Sequence, residues 1–285
     1  MIALITGING FVGPYLRKEL ESNGYIVYGL DITGDDKKIF QCDITNAAQV
    51  ATVVGKIMPT HIFHLAGFSS VVKSFEHPDL CFNVNVEGTK NLLNTIMVCG
   101  IKPRILIVSS SEIYGKPEYI PIDESHPLKP VSPYGESRVA QEKVCKEYGE
   151  KGLNIIIARS FNHTGPNQSE TFVIPSFRKQ VQDAKDGDII RVGNIDIIRD
   201  FSDVQDTVRA YRILLEKGTI GEIYNVGSGN GYRLRDILDS LIKESGKHLK
   251  VAIDQKKYRK ADIEEQVCNP DKIRMLIGFR FRKIV

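Results

Sequence analysis

Short apolar runs rich in β-branched residues recur through the first half of the chain, at Ile2–Thr6 and at residues 25–30, 61–66, 105–109 and 153–158. Each is nearly all apolar, as strands covered on both faces should be. Between them apolar side chains fall at helical spacing: Ala47, Val50, Val54 and Ile57, then Val84, Leu92 and Ile96, then Ala140, Val144 and Tyr148. This alternation predicts an α/β fold built on a parallel sheet, and right-handed crossovers make that sheet doubly wound. Beyond Arg159 the alternation lapses. Residues 167–171 are polar, 174–184 predict a helix and Ile189–Val192 a short strand. A helix over 203–215, a strand at Ile223–Val226, a helix at Leu234–Ser245 and a strand over 249–253 follow. The change predicts a smaller C-terminal α/β lobe. Residues 1–165 with 195–226 would form the main domain and 166–194 with 227–285 the lobe, with a ligand cleft between them.

Composition narrows the class. At 285 residues, 42% hydrophobic and with 24 glycines, the chain excludes disorder and collagen-like architecture. Charges nearly balance, 38 basic against 35 acidic, so neither nucleic acid nor an anionic membrane is expected as a partner. The net +3 is uneven: residues 243–285 hold 12 basic and 6 acidic side chains, which suit either phosphates or solvent. Five scattered cysteines without a C-x-x-C, and no His cluster at ligand spacing, point to a reduced cytoplasm and no metal. No apolar run approaches the ~20 residues of a membrane span.

The first strand runs into Gly7-Ile8-Asn9-Gly10-Phe11-Val12-Gly13, and Pro14 opens a helix. Such a turn lets a pyrophosphate reach amides at the positive helix end, so Gly7, Asn9, Gly10, Phe11, Val12 and Gly13 are candidate cofactor residues. Asp31, 18 residues past Gly13, closes the second strand, where a carboxylate accepts the ribose hydroxyls of the adenosine half. A 2′-phosphate would be repelled there, which favours NAD(H). Lys37 or Lys38 could neutralise a phosphate, so NADP(H) stays possible.

Ser110 follows the strand over 105–109, and Tyr134 and Arg138 sit four apart on one helical face. A fixed cation beside a phenol favours its ionised form and makes it a tunable proton donor, while a serine hydroxyl can orient a carbonyl. In family order, T-G-x-x-G-x-x-G from Thr6, Cys42-Asp43, His64-Leu65-Ala66-Gly67, Asn85-Val86-Glu87-Gly88-Thr89 and Tyr134-x-x-x-Arg138 resemble the extended short-chain dehydrogenase/reductase family, over essentially the whole chain. The resemblance implies a Rossmann main domain, Asp43 and Ile44 beside the adenine, and Leu65, Ala66, Gly67 and Asn85 lining the cofactor. It also implies Ser110, Tyr134 and residue 138 as the catalytic group, and a homodimer paired through helices over 80–98 and 134–148. The family's lysine is Arg138 here, a planar fork in place of a point charge. Arg138→Lys is expected to keep or raise turnover, and Tyr134→Phe to abolish it.

Within the family, Arg159-Ser160-Phe161-Asn162-His163-Thr164-Gly165-Pro166, the run from Arg199 to Asp206 and Tyr224-Asn225-Val226-Gly227-Ser228-Gly229 resemble GDP-4-keto-6-deoxy-D-mannose reductases. That likeness implies a GDP-linked keto-sugar held by Asn162, Arg199 and Arg259 and reduced at C4 to GDP-D-rhamnose. Glu112, two residues after Ser110, supports a rival 4,6-dehydratase; a 4-epimerase is a third reading, and a non-catalytic nicotinamide-binding sensor or scaffold a fourth. His61, His64 and His77 are read as core or surface residues, Tyr114 as packed at the cleft wall, and Asp203 and Asp206 as helix caps. His163 is open between packing and substrate contact.

Overall fold

The computed structural model describes residues 1–34, 36–258 and 263–284. Its strands are β1 (Ile2–Thr6), β2 (Ile26–Asp31), β3 (Ile39–Gln41), β4 (His61–His64), β5 (Arg104–Ser110), β6 (Asn154–Ser160), β7 (Asn162–Thr164), β8 (Ile189–Val192), β9 (Ile198–Asp203), β10 (Ile223–Val226), β11 (Gly231–Arg233), β12 (Lys250–Ile253) and β13 (Glu265–Gln266). The helices are α1 (Gly13–Ser22), α2 (Ala47–Ile57), α3 (Val71–Glu76), α4 (Pro78–Phe82), α5 (Gly88–Val98), α6 (Pro133–Glu150), α7 (Val173–Asp183), α8 (Val204–Lys217), α9 (Leu234–Ser245) and α10 (Asp271–Ile277).

Seven parallel strands make the main sheet, in the order β10-β6-β5-β4-β1-β2-β3. Side chains alternate between its two faces, and both faces are buried. Ala3, Ile5, Leu106 and Ile156 pack with Leu16 and Leu20 of α1 and with Tyr211 and Leu214 of α8. Leu4, Ile105, Ile107 and Ile155 pack with Val50 and Val54 of α2, Leu92 of α5 and Val144 of α6. Two covered faces are why the strands read as unbroken apolar runs. The doubly wound sheet is therefore as expected.

The smaller lobe is built on β9, which pairs with β7 and β13 in parallel and with β11 antiparallel, while β8 pairs with β12. Its own core joins Ile174 and Phe177 of α7, Ile190, Ile197, Phe201 and Leu238 of α9. Packing divides the chain differently from the expected boundaries at two places. Ile195, Ile197 and Phe201 belong with the small lobe, and Ile273 and Ile277 of α10 belong with the main-sheet core. The helix expected over 80–98 is interrupted: α4 passes into α5 through a π-helical turn, Asn83–Glu87, that turns Asn85 fully inward. Such a turn is a common signature of a functional segment.

One buried ion pair ties the main sheet together. Arg159 of β6 donates to Glu142 of α6 at 2.8 Å with both side chains at most 7% exposed. Ser109 donates to the same carboxylate, and Arg159 also donates to Tyr114, whose hydroxyl donates to Asn225 of β10. Tyr114, expected to pack at the cleft wall, is thus fully buried in the core. Among the described residues no helix is long and apolar enough to cross a membrane, and no group of three or more His, Cys, Asp and Glu is placed to hold a metal.

Removing one partner of a buried pair strands the other charge. Glu142→Ala should therefore lower unfolding free energy by about 3–5 kcal/mol, and Glu142→Leu combined with Arg159→Met should cost much less than the two single changes summed. Urea unfolding curves of the wild type, both single variants and the double variant check this.

Candidate active site

The strand order reverses between β1 and β4, and a crevice at the carboxyl ends of strands opens at such a reversal. Into it run the loop after β1, residues 65–67 after β4 and the turn after β5. The glycines of the first loop do different jobs. A Cβ on Gly7, whose φ is +72°, would lie 2.8 Å from the Ala66 amide nitrogen, and one on Gly13 would lie 2.1 Å from the Ile8 carbonyl oxygen. Both must lack a side chain for the turn to close. A Cβ on Gly10 would meet only the Gly7 carbonyl, at 3.2 Å, and would occupy the open side of the turn. Helix α1 starts beside it without a side-chain cap, Val12 being helical and Pro14 lying in the first turn. These free helix-end amides and the bare glycine suit a pyrophosphate.

At the end of β2, Asp31 accepts the Asn9 amide at 2.9 Å, and the Asn9 side chain donates to the Thr33 carbonyl. One carboxylate thus fixes the loop and keeps lone pairs for hydroxyl donors. Ile32, Gln41, Asp43 and Gln49 line an open cleft of about 440 Å³ next to it, where an adenine ring has room. Asp43 accepts both the amide and hydroxyl of Thr45 there, whereas Ile44 is buried against Gly88.

Asn85 lies fully buried. Its side-chain carbonyl accepts the Phe68 amide at 2.8 Å and its side-chain amide donates to Ser137 at 2.9 Å, so it braces the 67–68 turn. Leu65, Ala66 and Gly67 are half-buried along the crevice. Gly67 lies against Arg138 as well as Asn85: a Cβ there would stand 2.7 Å from the Arg138 Nη2.

Ser110 ends β5 and accepts the Glu112 amide at 3.2 Å, a side-chain cap that starts a single 3-10 turn. Glu112 rides on that turn and is half-buried. Helix α6 is capped by Ser132, whose hydroxyl accepts the Gly135 amide, and begins with Pro133. Gly135 presses on the Glu112 carbonyl, where a Cβ would come within 2.7 Å, so the start of α6 is seated on the Ser110 turn. Tyr134 is 7% exposed and its ring carries the Arg138 guanidinium 5.2 Å from the centroid. Arg138 is 5% exposed; Nη1 donates to the Val108 carbonyl and to Gln141, Nη2 to the Phe68 carbonyl, and Nε, itself buried, has no partner among the described residues.

Sequence reasoning passed over two hydroxyls nearby. Ser160, opposite Ser110 in the strand register, shares a short hydrogen bond with Tyr211 of α8. Burial pushes the Tyr211 phenol above its ordinary range, and the neighbouring Tyr134 pushes the same way. No local pattern could find this pair, because it joins a strand to a helix 51 residues later.

On the small-lobe side, Asn162 is half-buried and donates to the Asp200 carbonyl at 3.4 Å; Arg199 is 9% exposed and donates to the Ile198 carbonyl at 2.9 Å. Arg259 lies outside the described residues. His163 stacks on Phe11 of the glycine loop, centroids 6.0 Å apart and planes 6° apart, and Tyr15 donates to the Pro166 carbonyl. Ser111 and Gln266 of β13 exchange two hydrogen bonds, so the small lobe is latched to the Ser110 turn. Asp203 caps α8 through the Gln205 amide, and Asp206 accepts from Arg282.

The pattern of the family described as GDP-mannose 4,6 dehydratase matches residues 4–283. The chain belongs to that family. It is accordingly an enzyme of the short-chain dehydrogenase/reductase superfamily that includes dehydratases and epimerases. GDP-6-deoxy-D-mannose reductase of Pseudomonas aeruginosa is 32% identical over 264 residues, covering 90% of this chain and 84% of its own. GDP-mannose 4,6 dehydratase 2 of Caenorhabditis elegans is 28% identical over 98% of this chain and 84% of its own. Among solved structures, RMD from Pseudomonas aeruginosa complexed with NADPH superposes with a TM-score of 0.88 at 30% identity, covering 99% of this chain and 93% of that one. UDP-glucose 4-epimerase of Thermus thermophilus in complex with NAD gives 0.86 at 30%, covering 98% and 94%.

In this GDP-mannose 4,6 dehydratase family member, His64 is fully buried between Thr6 and Thr89. Burial, and then the Arg138 charge, push its pKa down to about 3. Its lowered pKa means that the unfolded chain binds a proton below about pH 6.5 that the folded one refuses. Stability from this group is complete above that pH and is lost as pH falls toward 3. From about pH 6.5 to about pH 5 the loss should be about 2 kcal/mol, smaller in His64→Asn, and an imidazole NMR titration should find His64 neutral at about pH 5. Protonation near pH 6 would overturn the assignment.

Proposed function

We propose that the chain reduces the C4 ketone of a nucleotide-linked 4-keto-6-deoxy sugar, GDP-4-keto-6-deoxy-D-mannose to GDP-D-rhamnose, with a reduced nicotinamide cofactor. The observation that carries the reading is Tyr134, nearly buried, with the guanidinium of Arg138 over its ring. The reductase relative, matched over nine-tenths of the chain, supports the substrate.

Gly7, Asn9, Gly10, Phe11, Val12 and Gly13 would hold the pyrophosphate, Asp31 the adenosine ribose, Asp43 and Ile44 the adenine, and residues 65–67 the inner edge of the cofactor, with Asn85 bracing them. A bound nicotinamide supplies the hydride that forms the new C4–H bond. Tyr134 gives its proton to the oxygen of C4 as that oxygen gains the carbonyl electron pair. Ser110 donates a hydrogen bond to the same oxygen and keeps the carbonyl aimed. Arg138 stabilises the phenolate left behind, and solvent restores the proton. Asn162, Arg199 and Arg259 would grip the sugar nucleotide, arginine being the best fork for a diphosphate.

Asp31 supports NADH over NADPH, since a 2′-phosphate beside it would meet a like charge. The NADPH in the Pseudomonas relative speaks for the other cofactor in that protein. Asp31→Asn should raise the NADPH-to-NADH ratio of kcat/KM by about tenfold, and a wild-type preference for NADPH would count against the assignment.

Glu112 supports a second reading. Its carboxylate is carried on the Ser110 turn and could serve as the base of a 4,6-dehydratase. The two are separated by stoichiometry: a reductase oxidises one nicotinamide per sugar, a dehydratase returns it. Purified protein incubated with the keto-sugar and NADH or NADPH should consume cofactor mole for mole and yield GDP-rhamnose by NMR. Tyr134→Phe should lose at least about 100-fold in kcat. Turnover of GDP-mannose without net cofactor loss would replace this reading by the second, and full activity of Tyr134→Phe would remove the proton donor.

A further inference from the structure

Behind Arg138 runs a buried line of side chains whose hydrogen-bond directions are fixed by elimination. Arg138 can only donate, so the Gln141 atom it meets at 2.9 Å is the carbonyl, and the Gln141 amide then points at Thr89, 2.8 Å away. The Thr89 hydroxyl donates to the Asn85 backbone carbonyl at 2.6 Å, which spends its one proton. It must accept from both Gln141 and His64 Nε2, the latter at 2.9 Å. The neutral ring therefore carries its proton on Nε2 and accepts at Nδ1 from Thr6, 2.8 Å away, while Thr6 accepts the Ala66 amide at 3.1 Å. Thr6 directly precedes Gly7. The line thus starts at the glycine loop and at residue 66, and ends on the catalytic cation, and every one of its side chains is at least nine-tenths buried.

We propose that Gln141, oriented through Thr89 and His64 from Thr6, is the positioning residue that sets where the Arg138 guanidinium stands between Tyr134 and the cofactor. The proposal rests on the function proposed above only for the role of Arg138; the line itself is independent of it. Gln141 and the Val108 carbonyl share Nη1 and the Phe68 carbonyl takes Nη2, so three neutral oxygens hold the fork through these two nitrogens. A lysine ammonium would end near the position of the guanidinium carbon and could not reach all three acceptors. The geometry therefore turns round the expectation for Arg138→Lys, which should lower turnover while Gln141 is in place.

The experiment compares Gln141→Met, Gln141→Glu, Arg138→Lys and the Arg138→Lys/Gln141→Met double variant with the wild type, all with cofactor supplied. Gln141→Met should lose about tenfold in kcat with KM for the keto-sugar within about twofold, and Gln141→Glu, which accepts from arginine but cannot donate to Thr89, should recover only part of the loss. The double variant should be no worse than Arg138→Lys alone. Two readouts need no turnover: the Kd for NADH and NADPH should weaken equally in Gln141→Met and Arg138→Lys, and ¹⁵N NMR should find His64 as the Nε2–H tautomer in the wild type. If no keto-sugar is reduced by any protein, the proposed function fails, and these two readouts still decide the relay. Wild-type kcat and Kd in Gln141→Met, additive losses in the double variant, or an Nδ1–H tautomer would overturn it. Should Gln141→Met not fold, an unmoved Gln141 side-chain amide signal in Arg138→Lys would do so instead.

Discussion

A cation buried without a carboxylate beside it is the constraint around which the crevice is arranged. Arg138 is 5% exposed, and among the described residues its hydrogen bonds go to the neutral oxygens of Val108, Phe68 and Gln141. Withdrawing such a charge from water is costly unless dipoles replace the water. The dipoles come from three different places: the carboxyl end of β5, the loop after β4 and the helix that carries Arg138 itself. Each must therefore hold its position for the cation to be tolerated. The inward Asn85, which grips Phe68 at both its amide and carbonyl, fixes the second of these.

The small lobe is joined to the main sheet through equally particular contacts. Asp200 of β9 is fully buried and accepts from the Ser228 amide and hydroxyl and from the amides of Gly229 and Cys268. Burial still holds its carboxyl above the usual range, those four donors pulling the other way. One side chain thereby gathers β9, the turn after β10 and the segment leading to α10. The Phe11–His163 stack and the Ser111–Gln266 pair then set the glycine loop and the Ser110 turn against the small lobe. A shift of the small lobe would be felt at both halves of the crevice.

Much of the main domain was legible because its signals are local. A glycine turn, a carboxylate closing β2, and a phenol and cation four apart on α6 each declare themselves within a few residues. The small lobe hid its central strand: β9 carries Arg199, Asp200, Ser202 and Asp203, and it reads as loop because the groups that satisfy Asp200 come from residues 228, 229 and 268. The division of residues 195–203 and of α10 between the lobes was missed for the same reason. Likewise His64 and Tyr114 were read as packed residues, and they are, but their partners lie at residues 6 and 89, and 159 and 225. The Thr6-to-Gln141 line could not be read in advance, since no two of its linked members share a helix turn except Gln141 and Arg138.

The same crevice bears on why one fold hosts reductases, dehydratases and epimerases. Each reaction needs hydrogen to move between a sugar carbon and a nicotinamide while a tyrosine exchanges a proton with the oxygen on that carbon. In the function proposed for this chain those demands would fall on Tyr134, Ser110 and Arg138. A dehydratase adds one demand, a base for a neighbouring carbon, and Glu112 sits where the Ser110 turn could present it. Whether that base is used would depend on how the sugar ring lies over the turn, which the proposed roles give to Asn162 and Arg199 rather than to the proton donor. On the proposed roles, the Tyr134–Arg138 pair would specify hydrogen transfer, and the small lobe, through the pose it imposes, would select which transfer is completed.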